Sequence, residues 1–118
     1  MTGSTIASFP PPTGPQRPAA VAFDRREFDQ IMRIYGQMVA AGEWRDYALD
    51  FTPQKAVFSI FRRASELPIF RIEKSPALAR RQGAYTVYGM GGQVLKRGHA
   101  LATALQIFDR KLMKLVEG

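Results

Sequence analysis

The chain has 118 residues, which is enough for one folded domain and too few for two domains of ordinary size. Hydrophobic residues make up 46% and charged residues 23% of the sequence, which excludes a wholly disordered chain and a long coiled coil. The 17 Lys and Arg residues exceed the 10 Asp and Glu residues and give a net charge of +7, which bears on partners rather than on fold. The absence of cysteine excludes disulfide bonds and cysteine nucleophiles.

The first 22 residues are rich in proline. Pro12, Pro15 and Pro18 form two overlapping PxxP spacings, which favour an extended polyproline II conformation. The segment lacks the basic start and apolar run of a secretory signal, and no later stretch is apolar over the length of a membrane helix. We therefore predict a disordered leader over residues 1–22, a single domain over residues 23–118, and a cytoplasmic protein without membrane association.

An amphipathic helix is predicted over residues 25–41. Asp24 can cap its first turn, and Glu27, three residues further on, can complete a capping box. Gly42 is suited to end the helix. Apolar residues recur at spacings of three and four and predict one buried stripe, made of Phe28, Ile31, Met32, Tyr35 and Val39.

From Tyr47 onward the hydrophobic period changes to two, and turn residues separate short segments. The predicted strands are residues 47–51, 56–63, 68–73, 84–89 and a short fifth strand at 93–96. A second helix over residues 99–116 closes the chain, with a stripe of Leu101, Ala104, Leu105, Phe108, Leu112 and Leu115. Strands grouped between two helices predict an α+β fold with an N-terminal helix, a four- to five-stranded antiparallel sheet and a C-terminal helix.

If both helices cover one sheet face, the other face is open. Aromatic side chains interleaved with cations are unusual on a face that only meets water. Alternation along the strands places there Val57, Phe61, Arg63, Arg71, Tyr88 and, if the pattern continues into the fifth strand, Lys96.

Three segments, AFDRREFDQIMRIYGQMVAAGEWRDYALDF, AVFSIFRRASELPIFRIEKSP and QGAYTVYGMGGQVLKRGHALATAL, carry a family resemblance. They resemble a family of short, basic alphaproteobacterial proteins described as a domain of unknown function, over about residues 20–116. The resemblance implies a soluble bacterial protein and no activity or functional residue. In layout alone the chain is also similar to the double-stranded-RNA-binding domain, but it has an extra strand pair and only Lys96-Arg97-Gly98-His99 at the start of its last helix.

The sequence nominates no catalytic site. His99 is the only histidine and there is no cysteine, so a zinc site built from such ligands is excluded. None of the serines lies in a GxSxG elbow, and Asp46 with Asp50 fits a solvated strand edge better than a catalytic carboxylate pair. The glycine-rich run 89–92 lacks the GK[ST] ending of a phosphate loop and is predicted to be a hairpin turn. We therefore predict a protein that is not an enzyme and has no catalytic residue, metal or cofactor.

The excess positive charge is local. Residues 62–97 hold eight basic and two acidic residues, whereas the two helical regions are nearly balanced. Arginine suits phosphate groups, and long cations in loops reach a phosphate backbone without being buried. We predict a surface for DNA, RNA or another polyanion, with Phe61 and Tyr88 as stacking or interface residues. Its predicted cations are Arg62, Arg63, Arg71, Arg80, Arg81, Lys96 and Arg97.

A second hypothesis accounts for the same pattern equally well. The open face can serve a protein-interaction or homodimerisation module without catalytic activity, while its cations only keep the surface soluble. Arg71 can pair with Glu73, and Arg63 with Glu66. Trp44 and Tyr47 are predicted to be aromatic residues at the edge of the core.

Overall fold

The structure is a computed structural model that describes residues 19–63 and 66–117. It confirms the predicted α+β fold and gives the sheet five strands. The predicted element boundaries differ from the observed ones by about two residues at most, whereas the PxxP spacings of the leader lie outside the described residues. The elements are α1 (Arg25–Ala40), β1 (Asp46–Phe51), β2 (Ala56–Phe61), β3 (Phe70–Lys74), β4 (Tyr85–Gly89), β5 (Val94–Gly98) and α2 (Leu101–Glu117).

The five strands form a meander in which spatial order follows chain order and every pair is antiparallel. Residues that stand directly opposite in such a ladder project to the same face of the sheet. Ser59 faces Arg71, and Arg71 faces Tyr88. A bulge lies between β4 and β5 at Val87/Tyr88. The register therefore fixes which side chains share each face.

Both helices pack on one face of the sheet and enclose the core. The largest fully buried side chains come from both layers: Phe58, Phe108, Ile31, Ile60, Ile72 and Val87. Trp44, predicted at the edge of the core, is only 3% exposed and meets Phe108 edge-on at 4.9 Å between ring centroids. The turn after α1 causes this burial, because the N–H groups of Glu43 and Trp44 both donate to the Met38 carbonyl and fold the indole beneath α2.

The buried side of α1 differs from the predicted stripe. Ile34 and Met38 are buried, although neither belongs to that stripe, whereas Val39 is 41% exposed. Phe28 and Tyr35 lie half-buried against the Phe58 ring. Because α1 packs against α2 as well as the sheet, its apolar band is wider than a single stripe and is rotated away from Val39.

Glu27 joins the start of α1 to the sheet. The predicted capping box is present, with Glu27 N–H donating to Asp24 Oδ1 and Asp24 N–H donating to Glu27 Oε1, each at 2.8 Å. The same carboxylate accepts from Lys74 Nζ at 2.8 Å and from the Tyr85 hydroxyl. Burial raises the pKa of Tyr85 above its ordinary value, and the hydrogen bond to Glu27 raises it further. One side chain thus ties α1 to β3 and β4.

The packed part of the chain begins before the predicted boundary at Phe23. Val21 N–H donates to the Thr52 carbonyl at 2.8 Å, and the Val21 side chain packs against the core. Lys74 Nζ also donates to the Ala22 carbonyl at 2.9 Å. The last two residues of the predicted leader are therefore part of the folded layer.

Candidate nucleic-acid interface

The predicted open face of the sheet is present. The register places Phe61, Arg71 and Tyr88 on the side opposite the helices, where each is half-buried. The Arg71 guanidinium lies over the Tyr88 ring, with 5.2 Å between Cζ and the ring centroid. This distance is within the range of a cation–π interaction. A guanidinium group and an aromatic ring thus occupy the middle of the face together.

The acidic residue at the centre of this face is neutralised. Glu73 is 6% exposed and its carboxylate lies 3.3 Å from both Lys55 Nζ and Arg71 Nε. The predicted Arg71–Glu73 pair is therefore present. Arg63 and Glu66 are linked through their backbones, and Arg62 instead pairs with Glu43 at 3.8 Å. Two cations share one carboxylate on β3, which leaves the centre of the face with a positive balance.

The two cations of β5 lie on opposite faces. Arg97 stands opposite Thr86 on the open face, and its Nε donates to Thr86 Oγ1 at 3.2 Å. Lys96 stands opposite Val87, which is fully buried beneath the helices. The prediction that Lys96 belongs to the open face is therefore wrong, because the hairpin register pairs it with a core residue.

The seven predicted cations do not form one cluster. Arg62 and Arg63 follow β2 at one end of the sheet, whereas Arg80 and Arg81 lie in the β3–β4 connection at the other end. The five residues of β3 between these ends span about 17 Å. Arg71 lies between the two groups. The predicted site therefore consists of Arg71 at the centre of the sheet and separate groups of cations at its two ends.

At one end, Gly83 brings the β3–β4 connection onto the start of α2. Its φ is +97°, and a Cβ at this position would lie 2.3 Å from the Gly98 carbonyl oxygen. Only glycine permits this approach, which places the exposed Arg80 and Arg81 at the same end of the sheet as Arg97. From Ser75 to Phe108 the sequence contains no Asp or Glu. The charged residues of β4, β5 and their connections are thus all basic. This absence of acidic residues can be read from the sequence alone.

The opposite edge of the face is acidic. Asp46 and Asp50 of β1 stand opposite Phe61 and Val57, so both carboxylates lie on the open face. All six residues of β1 are exposed. Of the two predicted stacking residues, Phe61 therefore lies beside a carboxylate and Tyr88 beside a guanidinium. An anionic chain would be repelled from the β1 edge and attracted towards β3, β4 and β5.

The described residues contain no group of three or more His, Cys, Asp or Glu side chains placed to hold a metal ion. Within those same residues, neither helix combines the length and apolar character needed to cross a bilayer.

These features define a small α+β protein with two helices on one sheet face and a basic, partly aromatic surface on the other. The chain belongs to the family described as "Protein of unknown function (DUF2794)", which matches residues 21–105. This match confirms the resemblance seen in the sequence, and it covers α1, all five strands and the start of α2. Comparison with curated proteins and with solved structures gave no match.

Proposed function

We propose that this protein binds single-stranded nucleic acid across the β3–β5 part of its open sheet face. The observation that carries the proposal is the Arg71–Tyr88 pair, because an aromatic ring beside a guanidinium on an open sheet face can stack a base while a cation meets its phosphate. Both residues lie at the centre of the face. A duplex hides its bases, so a stacking platform favours a single strand.

The distribution of charge supports a path for the strand. Arg97 lies on the face beside β4, and Arg80 with Arg81 lies at the end of the sheet where β5 meets α2. Asp46 and Asp50 border the other side. A phosphate chain would therefore lie over β3 to β5 and avoid β1, since like charges repel it there.

The same face is less suited to homodimerisation. Val57 is only 8% exposed, although it lies on the open side of the sheet. A homodimer interface usually has an apolar centre. Among the large exposed apolar residues of the described chain, Val94 lies on this face, opposite Tyr88. The exposed apolar residues of β1 project instead to the helix side of the sheet; they are Tyr47, Leu49 and Phe51.

Charge reversal tests the phosphate contacts. We expect Arg80→Glu, Arg81→Glu and Arg97→Glu together to weaken binding of oligonucleotides by more than about a hundredfold at low salt, because several phosphate contacts are lost. The measurement is a gel-shift titration with single- and double-stranded DNA and RNA at two salt concentrations. A matched control carries Arg25→Glu, Arg26→Glu and Arg33→Glu on α1, and it changes net charge by the same amount. Equal weakening in both triple variants would show that total charge, and not this surface, governs binding.

Ring removal tests the stacking contact. We expect Tyr88→Ala to weaken single-strand binding by about 1–3 kcal/mol, and Tyr88→Phe to retain most of the affinity because the ring is kept. Fluorescence anisotropy with a labelled oligonucleotide measures both variants. Equal affinity of the wild type and Tyr88→Ala would remove the stacking role.

A further inference from the structure

A cleft lies at the end of the molecule where β2 and α2 end, away from Arg80 and Arg81. It has a volume of about 230 Å³ and lies between the C-terminal half of α2, the α1–β1 turn and the start of β3. Its apolar lining includes Trp44 and Phe70. The charged residues that border it are Glu43, Arg62, Lys111 and Lys114.

Two further grooves extend this cleft. One, of about 550 Å³, shares Leu115 with it and follows the ends of both helices past Ala40 and Leu112. Another, of about 410 Å³, shares Trp44 and Arg62 with it. All three are open to solvent, so a small molecule would keep much of its surface in water. An extended or helical chain segment can instead lie along their combined length. The three grooves together are called the end groove below.

The end groove has an apolar floor and a cationic border. Lys111 Nζ lies 5.6 Å from the centroid of the Phe70 ring, so an ammonium group is held directly above the floor. Glu43, the acid in the lining, lies 3.8 Å from an Arg62 nitrogen and is therefore already paired. The bordering cations are Arg45, Arg62, Arg63, Lys111 and Lys114.

We propose that the end groove binds an acidic amphipathic helix of a partner protein. Apolar side chains spaced three and four residues apart would contact Phe70 and Leu115 above the buried Trp44, and carboxylates beside them would pair with the cationic border. Charge complementarity selects an acidic helix over the α1 helix of a second copy of the chain. The exposed side of α1 carries Arg25, Arg26 and Arg33, and these would meet other cations.

This proposal is independent of nucleic-acid binding. The end groove lies on the helix side of the sheet, and its α2 residues Lys111, Lys114 and Leu115 are not part of the open face. Arg80, Arg81 and Arg97 lie at the other end. Each surface can therefore be altered while the other stays intact.

The only tryptophan of the chain, Trp44, reports on the floor of the end groove through its fluorescence. Three synthetic peptides of about 15 residues serve as probes, a length at which helix formation becomes feasible. The first has Leu at helical spacings of three and four with Glu at most other positions. The second has the same composition with its Leu residues distributed around the helix, and the third has Lys in place of Glu. We expect a saturable change in Trp44 emission with the first peptide and at least tenfold weaker binding of the other two.

Surface variants complete the test. Lys111→Glu with Lys114→Glu should weaken binding of the acidic peptide at least tenfold, and Leu115→Asp should weaken it to the same extent. The far-ultraviolet circular dichroism of these variants should stay unchanged, because all three residues are exposed. Arg80→Glu with Arg81→Glu is the control with the same charge change, and it should leave peptide affinity unchanged. The proposal is overturned if the three peptides bind equally, if Lys111→Glu with Lys114→Glu has no effect, or if an oligonucleotide displaces the peptide.

Discussion

Among the described residues, one buried carboxylate lies against each face of the sheet, and the two have different partners. Glu27, in the first turn of α1, packs against the covered face and is 7% exposed, whereas Glu73 of β3 lies on the open face and is 6% exposed. The partners of Glu27 come from the α1 cap, β3 and β4, with Lys74 also largely buried. The partners of Glu73 are Lys55 and Arg71, which remain partly in contact with water.

This difference shows that equal burial does not mean an equal role. The Glu27 network joins one helix to two strands and supports the fold. Glu73 instead pairs with two cations on a surface that an anion can reach, and it partly neutralises their positive charge. Removal of Glu27 should therefore lower stability and leave binding unchanged, whereas removal of Glu73 should strengthen binding.

The largest expected effect is on stability at Glu27. We expect Glu27→Gln to lower the free energy of unfolding by about 3 kcal/mol, because it leaves the Lys74 ammonium group largely buried without its counter-charge. Urea denaturation followed by circular dichroism measures this change. Oligonucleotide affinity of the folded variant should be unchanged. Asp29→Asn, at an exposed carboxylate of the same helix, is the control and should cost less than about 0.5 kcal/mol. A loss below about 1 kcal/mol at Glu27 would contradict its structural role.

An intermediate effect is expected at Glu73. We expect Glu73→Gln to strengthen oligonucleotide binding about fivefold, because removing one negative charge near the phosphate path is worth about 1 kcal/mol. The salt dependence of binding should become steeper as Lys55 and Arg71 gain access to phosphates. Anisotropy titrations at several salt concentrations measure both quantities. Unchanged or weaker binding would show that Glu73 is needed to hold Arg71 in place.

The smallest effect is expected from Tyr85, and it depends on pH. The pKa of Tyr85 is raised in the folded protein, chiefly by burial and then by Glu27. Above about pH 10 the unfolded chain loses this proton while the folded chain keeps it, so the unfolding free energy falls as pH rises further. Below that pH the contribution is fully present. Tyr85→Phe should show a shallower alkaline decline than the wild type in urea denaturation between pH 8 and 11. If the unfolding free energies of the wild type and Tyr85→Phe fell equally with pH, the link between Tyr85 protonation and stability would be contradicted.

Local sequence signals predicted the elements of the fold well. The capping box at Asp24 and Glu27 needs residues only three positions apart, and alternation located every strand within about two residues. The contacts of Glu27 with Lys74 and Tyr85 join residues 47 and 58 positions apart, so no local pattern reveals them. Tertiary packing also decided which side of α1 is buried.

The candidate site was predicted in part. Alternation correctly placed Phe61, Arg71 and Tyr88 on one face, since their strands are regular. The side on which Lys96 lies depends on the hairpin register, which alternation within one strand does not reveal. The end groove combines residues from α1, α2, the α1–β1 turn and the β2–β3 region. Lys111 and Lys114 were missed because the charge of α2 alone is nearly balanced.

The most direct test of the open-face claim is residue-resolved mapping by nuclear magnetic resonance. Amide chemical shifts of the isotope-labelled protein are followed while a single-stranded oligonucleotide is added. We expect the largest shift changes to cluster at Arg71, Tyr88 and Arg97, with little change along β1 or the exposed side of α1. Changes concentrated on β1 or α1, or an unchanged spectrum with excess oligonucleotide, would contradict the open-face claim.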